Sequence, residues 1–568
     1  MKDISRRIVL FLERISLQCW ESSFYRFILF SVATIFAINF LGYHFGTFDQ
    51  SIHIPFLKKF ADPTLYPNDH FLDLRFTHYS YFWFLFVPFY RLGILEITMF
   101  ITYVCIIYLT FLAVWNISKT LFNNPLVSFL SVIVFMLPHI GFGLTPLIEF
   151  SLLNRTFVLP FLLFSINEYL NKRYLKAYIL LGILYNLHIL SVNFVLVMFI
   201  FDSLIHIRII GIKKLLIYVF GFCIAAFPVL YWKSTTSKID LSLQPEWLNI
   251  INNGFLHHLF SLFSKDPVFI LPTISGLATL ILFFIGFFNS KKTYTDHTVK
   301  HFMFAAICIL IVELVTARWL PITIIIQLQI VRIGIFILLF GYLYFTHYLV
   351  TYFLKDKEEK YEHFFFLTFI TIISGSAIIP LITLLIQQRF SSILLLRFLM
   401  FVAIMGFFGF MTLVWTLEIW FPGIYIFPRK DSYYEAQKWA RNNTLKDSIF
   451  IVPPYPWLFF DYDWRVVSER STIADLGDLG EIAINPQYLS FWLPRFKALA
   501  PGALLQFKGN VFENKKIIKK AFYTLQKNDF KHIAEKYGAS YLVVEKPYVY
   551  DFQEVFENNG YRVYKITK

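Results

Sequence analysis

Apolar positions along the first 420 residues come in long runs, and no polar face returns every third or fourth place as it would on a soluble amphipathic helix. Runs of about 17–25 residues are long enough to cross a hydrocarbon core. The pattern predicts spans over 25–43, 97–116, 125–145, 156–171, 176–190, 191–207, 214–232, 267–289, 301–316, 331–352, 363–385 and 396–420. The aromatic run Tyr79–Tyr90 is too short to span and contains Pro88, so it predicts an interfacial helix over 79–92. Residues 1–20 are basic and amphipathic and read as a cytoplasmic flank, not as a cleavable signal.

From Pro428 the pattern changes to short alternating segments. Asp431–Asn443 has helical spacing, Ser448–Val452 reads as a strand, 515–537 as two helices, and Ala539–Val544 and Tyr561–Ile566 as strands. The expected architecture is a polytopic α-helical membrane protein of about 11–13 spans carrying a C-terminal α/β soluble domain. Residues 1–427 would form the membrane part, with a first external loop over 44–78, and 428–568 the soluble part.

Composition agrees with this class: only 15% of residues are charged, where a soluble chain has about a quarter. The net charge of +14 comes largely from loop clusters such as Lys172/Arg173/Lys176, Arg208/Lys213/Lys214, Lys291/Lys292/Lys300 and Lys355 to Lys360. These mark one face as cytoplasmic, beside anionic lipid, and no nucleic-acid module accompanies them. All four clusters fall on one side if 79–92 does not cross. The same count of spans returns the C-terminus to that basic side. The four cysteines lie in or beside apolar stretches without paired spacing, which argues against disulfides or a zinc site.

Candidate chemistry concentrates in the first loop, where Asp49, Asp62, Asp69 and Asp73 accompany His44, His53, His70 and His78. Its amphipathic stretch, with Ile52, Ile54, Phe56 and Leu57 against Lys58 and Lys59, is expected to lie along the membrane surface. A carboxylate held there can act as general base towards a hydroxyl while a lipid-linked donor stays in the bilayer; the alternative is a polar loop whose Asp residues cap helices. Asp and His also suit a divalent metal, but no fixed ligand spacing marks one, so the cofactor is left unassigned. A second group is polar and embedded in apolar runs: Glu149, Asn154 and Arg155; Asn186, His188 and Asn193; Glu313, Arg318, Gln327, Gln329 and Arg332; Arg389 and Arg397. Such residues are costly unless they face a cavity or a partner. On the expected topology nearly all of them gather on the Asp49 side. Arginines there suit a phosphate, gripped by paired hydrogen bonds, or they form internal pairs, Glu149 with Arg155 and Glu313 with Arg318. No Walker loop, GxSxG elbow, HExxH or dinucleotide fingerprint occurs.

The order of parts resembles the GT-C superfamily of membrane glycosyltransferases: one span, a large loop with an early acidic residue (FGTFDQSIHIPFLKKF), an interfacial aromatic helix, many spans and a small α/β end. YYEAQKWARNNTLKDSIFIVPP is similar to the opening of that family's C-terminal domain, and KYGASYLVVEKP with FENNGYRVYKI to its close. FDQSIHIPFLKKFADPTLYPNDHF resembles a bacterial family of uncharacterised multispanning proteins near these transferases. Where mannosyltransferases have an acidic pair this chain has Asp49-Gln50, and FTHYSYFW replaces the Lys-Pro-Pro-Leu-like start seen in aminoarabinose transferases. The resemblance implies transfer of a sugar from a polyprenyl-phosphate carrier to a cell-envelope acceptor at a bacterial inner membrane, with lipid-linked donor and membrane lipids as partners and the C-terminal domain outside. Asp49 would be the catalytic carboxylate, as acceptor base or orienter. Arg155, Arg332 and Arg389 would bind the carrier phosphate, with Glu149, His53, Asp69 and His188 as further contacts. The alternative is a transporter, flippase or assembly scaffold, which the lack of an internal repeat disfavours.

Overall fold

The structure is a computed structural model, and it describes residues 2–236, 245–256, 267–318, 322–354, 360–390, 392–417, 420–456 and 460–566. Most of the Lys355–Lys360 cluster and the side chain of Arg318 lie outside the described residues, so the Glu313–Arg318 pair does too. The chain is a multi-pass membrane protein. Among the described residues seven helices are long and apolar enough to cross a bilayer, including Ser23–Leu41, Leu95–Phe122, Ile212–Thr236 and Ile393–Thr416. Shorter apolar helices, including Tyr174–Tyr185 and Ile189–Ile205, complete the bundle.

Close packing uses small residues, as expected where lipid offers no hydrophobic drive between helices. Pro267–Phe288 and Gly334–Leu354 meet so tightly that a Cβ on Gly286 would lie 2.2 Å from the Tyr344 carbonyl oxygen. A Cβ on Gly341 would lie 2.3 Å from the Thr279 methyl.

Three expected elements differ. The 125–145 span stops at Val134, and a 3-10 turn, Phe142–Leu144, follows after Pro138 and Gly141. The 79–92 helix is a 3-10 turn, Trp83–Phe86, leading into Val87–Arg91, because Pro88 suits only a first turn. The 363–385 span is two helices, Tyr361–Ile373 and Ile378–Phe390. Their junction is non-helical backbone inside the bundle, tolerated because protein groups satisfy it. Ile140 N–H donates to the Gly375 carbonyl (2.7 Å), and Ser275 Oγ accepts from Ala377 N–H (3.1 Å) while donating to the Ile140 carbonyl (2.6 Å).

That break corrects the crossing count. The chain turns back at Ser374–Ala377, and the next helix starts where Arg397 pairs with Glu362 at 3.0 Å, beside the basic-loop end. Ile393–Thr416 then crosses once more and ends at the opposite face. There Ile424–Tyr425 pairs in parallel with Tyr43–His44, and Trp420 Nε1 donates to the Phe40 carbonyl (2.7 Å). Gly42 makes the turn possible: its φ is +82°, and a Cβ would sit 3.0 Å from the carbonyl oxygens of Phe421 and Gly423. The C-terminal region therefore shares the face of the first loop, as the resemblance implies and the span count does not.

That region carries a five-stranded sheet in the spatial order Ser471–Thr472, Ile449–Ile451, Tyr541–Glu545, Tyr561–Lys565, Gln553–Glu557. The first three strands run parallel and the last two pair antiparallel. Ser432–Asn443 is capped by the Asp431 side chain, which accepts from Tyr434 N–H. Val511–Tyr523 and Lys527–Tyr537 are the two expected helices. Leu489–Leu499 and the strand Gln553–Glu557 have no counterpart in the sequence reading.

Candidate functional site

The first-loop helix Gln50–Ala61 is held between the bundle and the C-terminal region, not laid on a membrane surface. Eleven of its twelve residues are buried, Lys58 and Lys59 included. Lys58 Nζ donates to Glu469 Oε1 (2.9 Å) and the Val466 carbonyl (2.8 Å), and Lys59 Nζ donates to the carbonyls of Pro63 (3.1 Å) and Tyr66 (3.3 Å). The lysines looked like a polar face because the sequence does not show what covers them.

Asp49 stands at the start of this helix with its side chain 26% exposed. Arg155, in the first turn of Asn154–Leu170, bridges two carboxylates: Nη1 donates to Asp49 Oδ2 (2.6 Å), while Nε and Nη2 donate to Glu149 Oε1 (2.7 Å) and Oε2 (2.6 Å). The Glu149–Arg155 pair is thus real, with Asp49 as a third member. Two carboxylates already occupy Arg155, so it holds them in place and is not open to a phosphate. Arg332 reaches the same place from the turn Ile330–Ile333, where Gln329 takes a left-handed φ of 45°. Arg155, Glu149 and Arg332 line a cavity of about 40 Å³ together with Ser191. Arg332 has no ion pair among the described residues, and its buried Nε has no hydrogen-bond partner.

Beside this cluster a larger cleft of about 750 Å³ opens between the first loop, the turn before Ile189–Ile205 and residues Ile484–Tyr488 of the C-terminal region. Asn154, His78, His188, Lys233, Gln327 and Asn485 supply its polar wall. His188 caps the helix that follows, its Nδ1 2.8 Å from Ser191 Oγ. His78 Nε2 lies 2.6 Å from Glu481 Oε1, and Glu481 is buried with Oε2 unpartnered. Burial favours neutral His78, but the Glu481 carboxylate outweighs it and holds the imidazole above the usual histidine range. His53 stacks on Trp83 (4.7 Å) and on the edge of His78 (4.8 Å). Burial first, then neighbouring His78 and Arg155, push His53 well below that range, so it is neutral.

Two nominated residues lie elsewhere. Asp69 is buried and locked to Arg465 (Nε to Oδ2, 2.7 Å), whose Nη1 also meets Asp478 (3.1 Å) and Asp463 (3.3 Å). It ties the loop to the C-terminal region and does not face the cleft. Arg389 ends the helix Ile378–Phe390 at the Glu362–Arg397 end of the bundle, away from Asp49. The sequence reading placed it with the others because it counted one span where there are two helices. It also missed Glu481 and Arg465. A signal existed: Asp475, Asp478 and Glu481 recur every third residue.

No family model matches this chain, and no curated protein matches it. Among solved structures the chain is similar to the archaeal oligosaccharyltransferase AglB from Archaeoglobus fulgidus in complex with an inhibitory peptide and a dolichol-phosphate, at 12% identity and a TM-score of 0.45. That alignment covers 92% of this chain and 70% of the other. It is similar also to the Archaeoglobus fulgidus oligosaccharyltransferase in its apo form, at 12% identity and a TM-score of 0.41, over 93% of this chain and 70% of that one.

Proposed function

We propose that the protein is a membrane glycosyltransferase of GT-C type that moves a sugar from a polyprenyl-phosphate carrier to a hydroxyl of a cell-envelope acceptor, at a bacterial inner membrane. The observation that carries this reading is the Asp49–Arg155–Glu149 bridge beside Arg332, next to a cleft built jointly by the bundle and the C-terminal region. Asp49 Oδ2 is fixed by Arg155, which leaves Oδ1 to take the proton of the acceptor hydroxyl. The acceptor oxygen bonds to the anomeric carbon as the bond from that carbon to the carrier phosphate breaks, and the lipid phosphate leaves with the electron pair. Arg332, which makes no ion pair among the described residues, suits the charge that grows on that phosphate. Arg389 has no part in this arrangement.

The test is donor turnover by the purified full chain across a panel of polyprenyl-phosphate sugars. Asp49→Asn is expected to lower transfer at least about 100-fold with unchanged thermal unfolding, as loss of a general base does. Arg332→Met is expected to lower kcat and kcat/KM together, as loss of a contact that strengthens in the transition state does. Full activity in Asp49→Asn would overturn the assignment.

A further inference from the structure

At the opposite end of the bundle from the cleft, a second polar cluster takes no part in the proposed transfer. Asp202 lies in the last turn of Ile189–Ile205, fully buried, and His206 follows at i+4, so both lie on one helix face. The facing helix Tyr294–Arg318 brings in His301. His301 Nδ1 is 2.7 Å and His206 Nδ1 3.1 Å from the same oxygen, Asp202 Oδ1. The three ligand atoms lie within 4.8 Å of one another.

We propose that Asp202, His206 and His301 form a binding site for a divalent transition ion of the zinc class. Two imidazole nitrogens and one carboxylate oxygen are the donor set such an ion takes, and three protein ligands leave one position open. Ligand atoms around tetrahedral zinc stand about 3.3 Å apart at bond lengths near 2.0–2.1 Å, so the two His–Asp separations need to widen only slightly. The histidine side chains are 13% and 14% exposed, which leaves a way in from the basic-loop end. Each imidazole frees Nδ1 by holding its proton on Nε2, a tautomer change that costs no net charge.

Two observations beyond the convergence point the same way. Among the described residues Asp202 has no lysine or arginine partner, although it is 0% exposed. A buried carboxylate without a cation is expensive, and such groups are paired or hold metals. The second Asp202 oxygen is held in turn: Tyr169 donates to Oδ2 (3.0 Å), and Tyr169 meets Ser203 Oγ at 2.8 Å. That is how an outer shell orients a metal-binding carboxylate. The surroundings are otherwise aromatic, with the Tyr294 ring 5.1 Å from His206 and Lys172 above that ring at 4.4 Å.

The experiment uses the full chain in detergent, stripped by a chelator and titrated with Zn²⁺ and, as a spectroscopic probe, Co²⁺. One ion per chain is expected, with the intense visible bands of four-coordinate cobalt. His301→Gln and His206→Gln are each expected to weaken binding at least about 30-fold, and Tyr169→Phe about 10-fold. Asp49→Asn should leave it unchanged, which separates this site from the cleft. Absence of stoichiometric binding by the unaltered chain, or binding indifferent to His301→Gln, overturns the proposal. If a histidine variant does not fold, the cobalt spectrum of the unaltered chain decides alone: weak six-coordinate bands sink the site.

Discussion

Arg465→Met is the sharpest test of how the first loop and the C-terminal region are joined. The guanidinium is 1% exposed and sits among Asp69, Asp463 and Asp478, with Phe71 under its face at 4.6 Å. One cation cannot neutralise three buried carboxylates. Burial, with Asp463 and Asp69 adding to it, pushes Asp478 up to about 7 against the pull of Arg465. Methionine keeps much of the volume and removes the charge, leaving the buried acids without this cation. Breaking a buried pair in this way costs about 3–5 kcal/mol, roughly 100-fold or more in the local opening equilibrium at 1.36 kcal/mol per decade. Hydrogen exchange of the full chain reads this directly: protection over 66–72 and 463–482 should fall by that factor at pH 7, while the bundle is unaffected. The penalty should shrink as pH falls below about 7, where Asp478 takes up a proton. A loss under tenfold, or one that does not vary with pH, would refute the picture of a three-acid, one-cation lock.

Asp478, whose folded value is raised, contributes stability that is complete below about pH 4 and is lost as pH rises through about 7; Asp478→Asn should flatten that part of a pH–stability curve measured by thermal unfolding. His78 is likewise raised in the folded chain, so its share is present below pH 6.5 and lost as pH climbs past the raised value; Glu481→Gln should abolish that window in the same pH–stability curve. Gly341→Val puts methyl groups where Thr279 already stands, and should lower stability by about 1–3 kcal/mol or more in a detergent unfolding assay. Reporters fused after Lys568 that work only outside the cytoplasm should be active, since the sheet shares the face of the Asp49 loop; active cytoplasmic reporters would contradict the turn at Ser374–Ala377.

The membrane class follows from the chain alone, because hydrocarbon requires long unbroken apolar runs and nothing in a neighbour's packing alters that requirement. The same holds for Asp431–Asn443 with its cap and for the strands 541–545 and 561–565, whose signals are local. Asp49 and the group Glu149, Arg155, His188 and Arg332 were also legible, since a polar residue inside an apolar run stands out in one dimension. Pairing was not. Whether Arg155 also holds Asp49, and whether Lys58 faces water or Glu469, depends on residues one hundred to four hundred positions away. The break at Ser374–Ala377 was hidden for the same reason: its backbone is satisfied by Ile140 and Ser275, so local hydropathy reads straight through it. Tertiary structure alone decided that Arg389 leaves the site, that Asp69 becomes a tether, and that Glu481 arrives at His78 from four hundred residues downstream. Hydropathy measures the cost of placing each residue in lipid, whereas charge pairing is settled by the distances that folding creates.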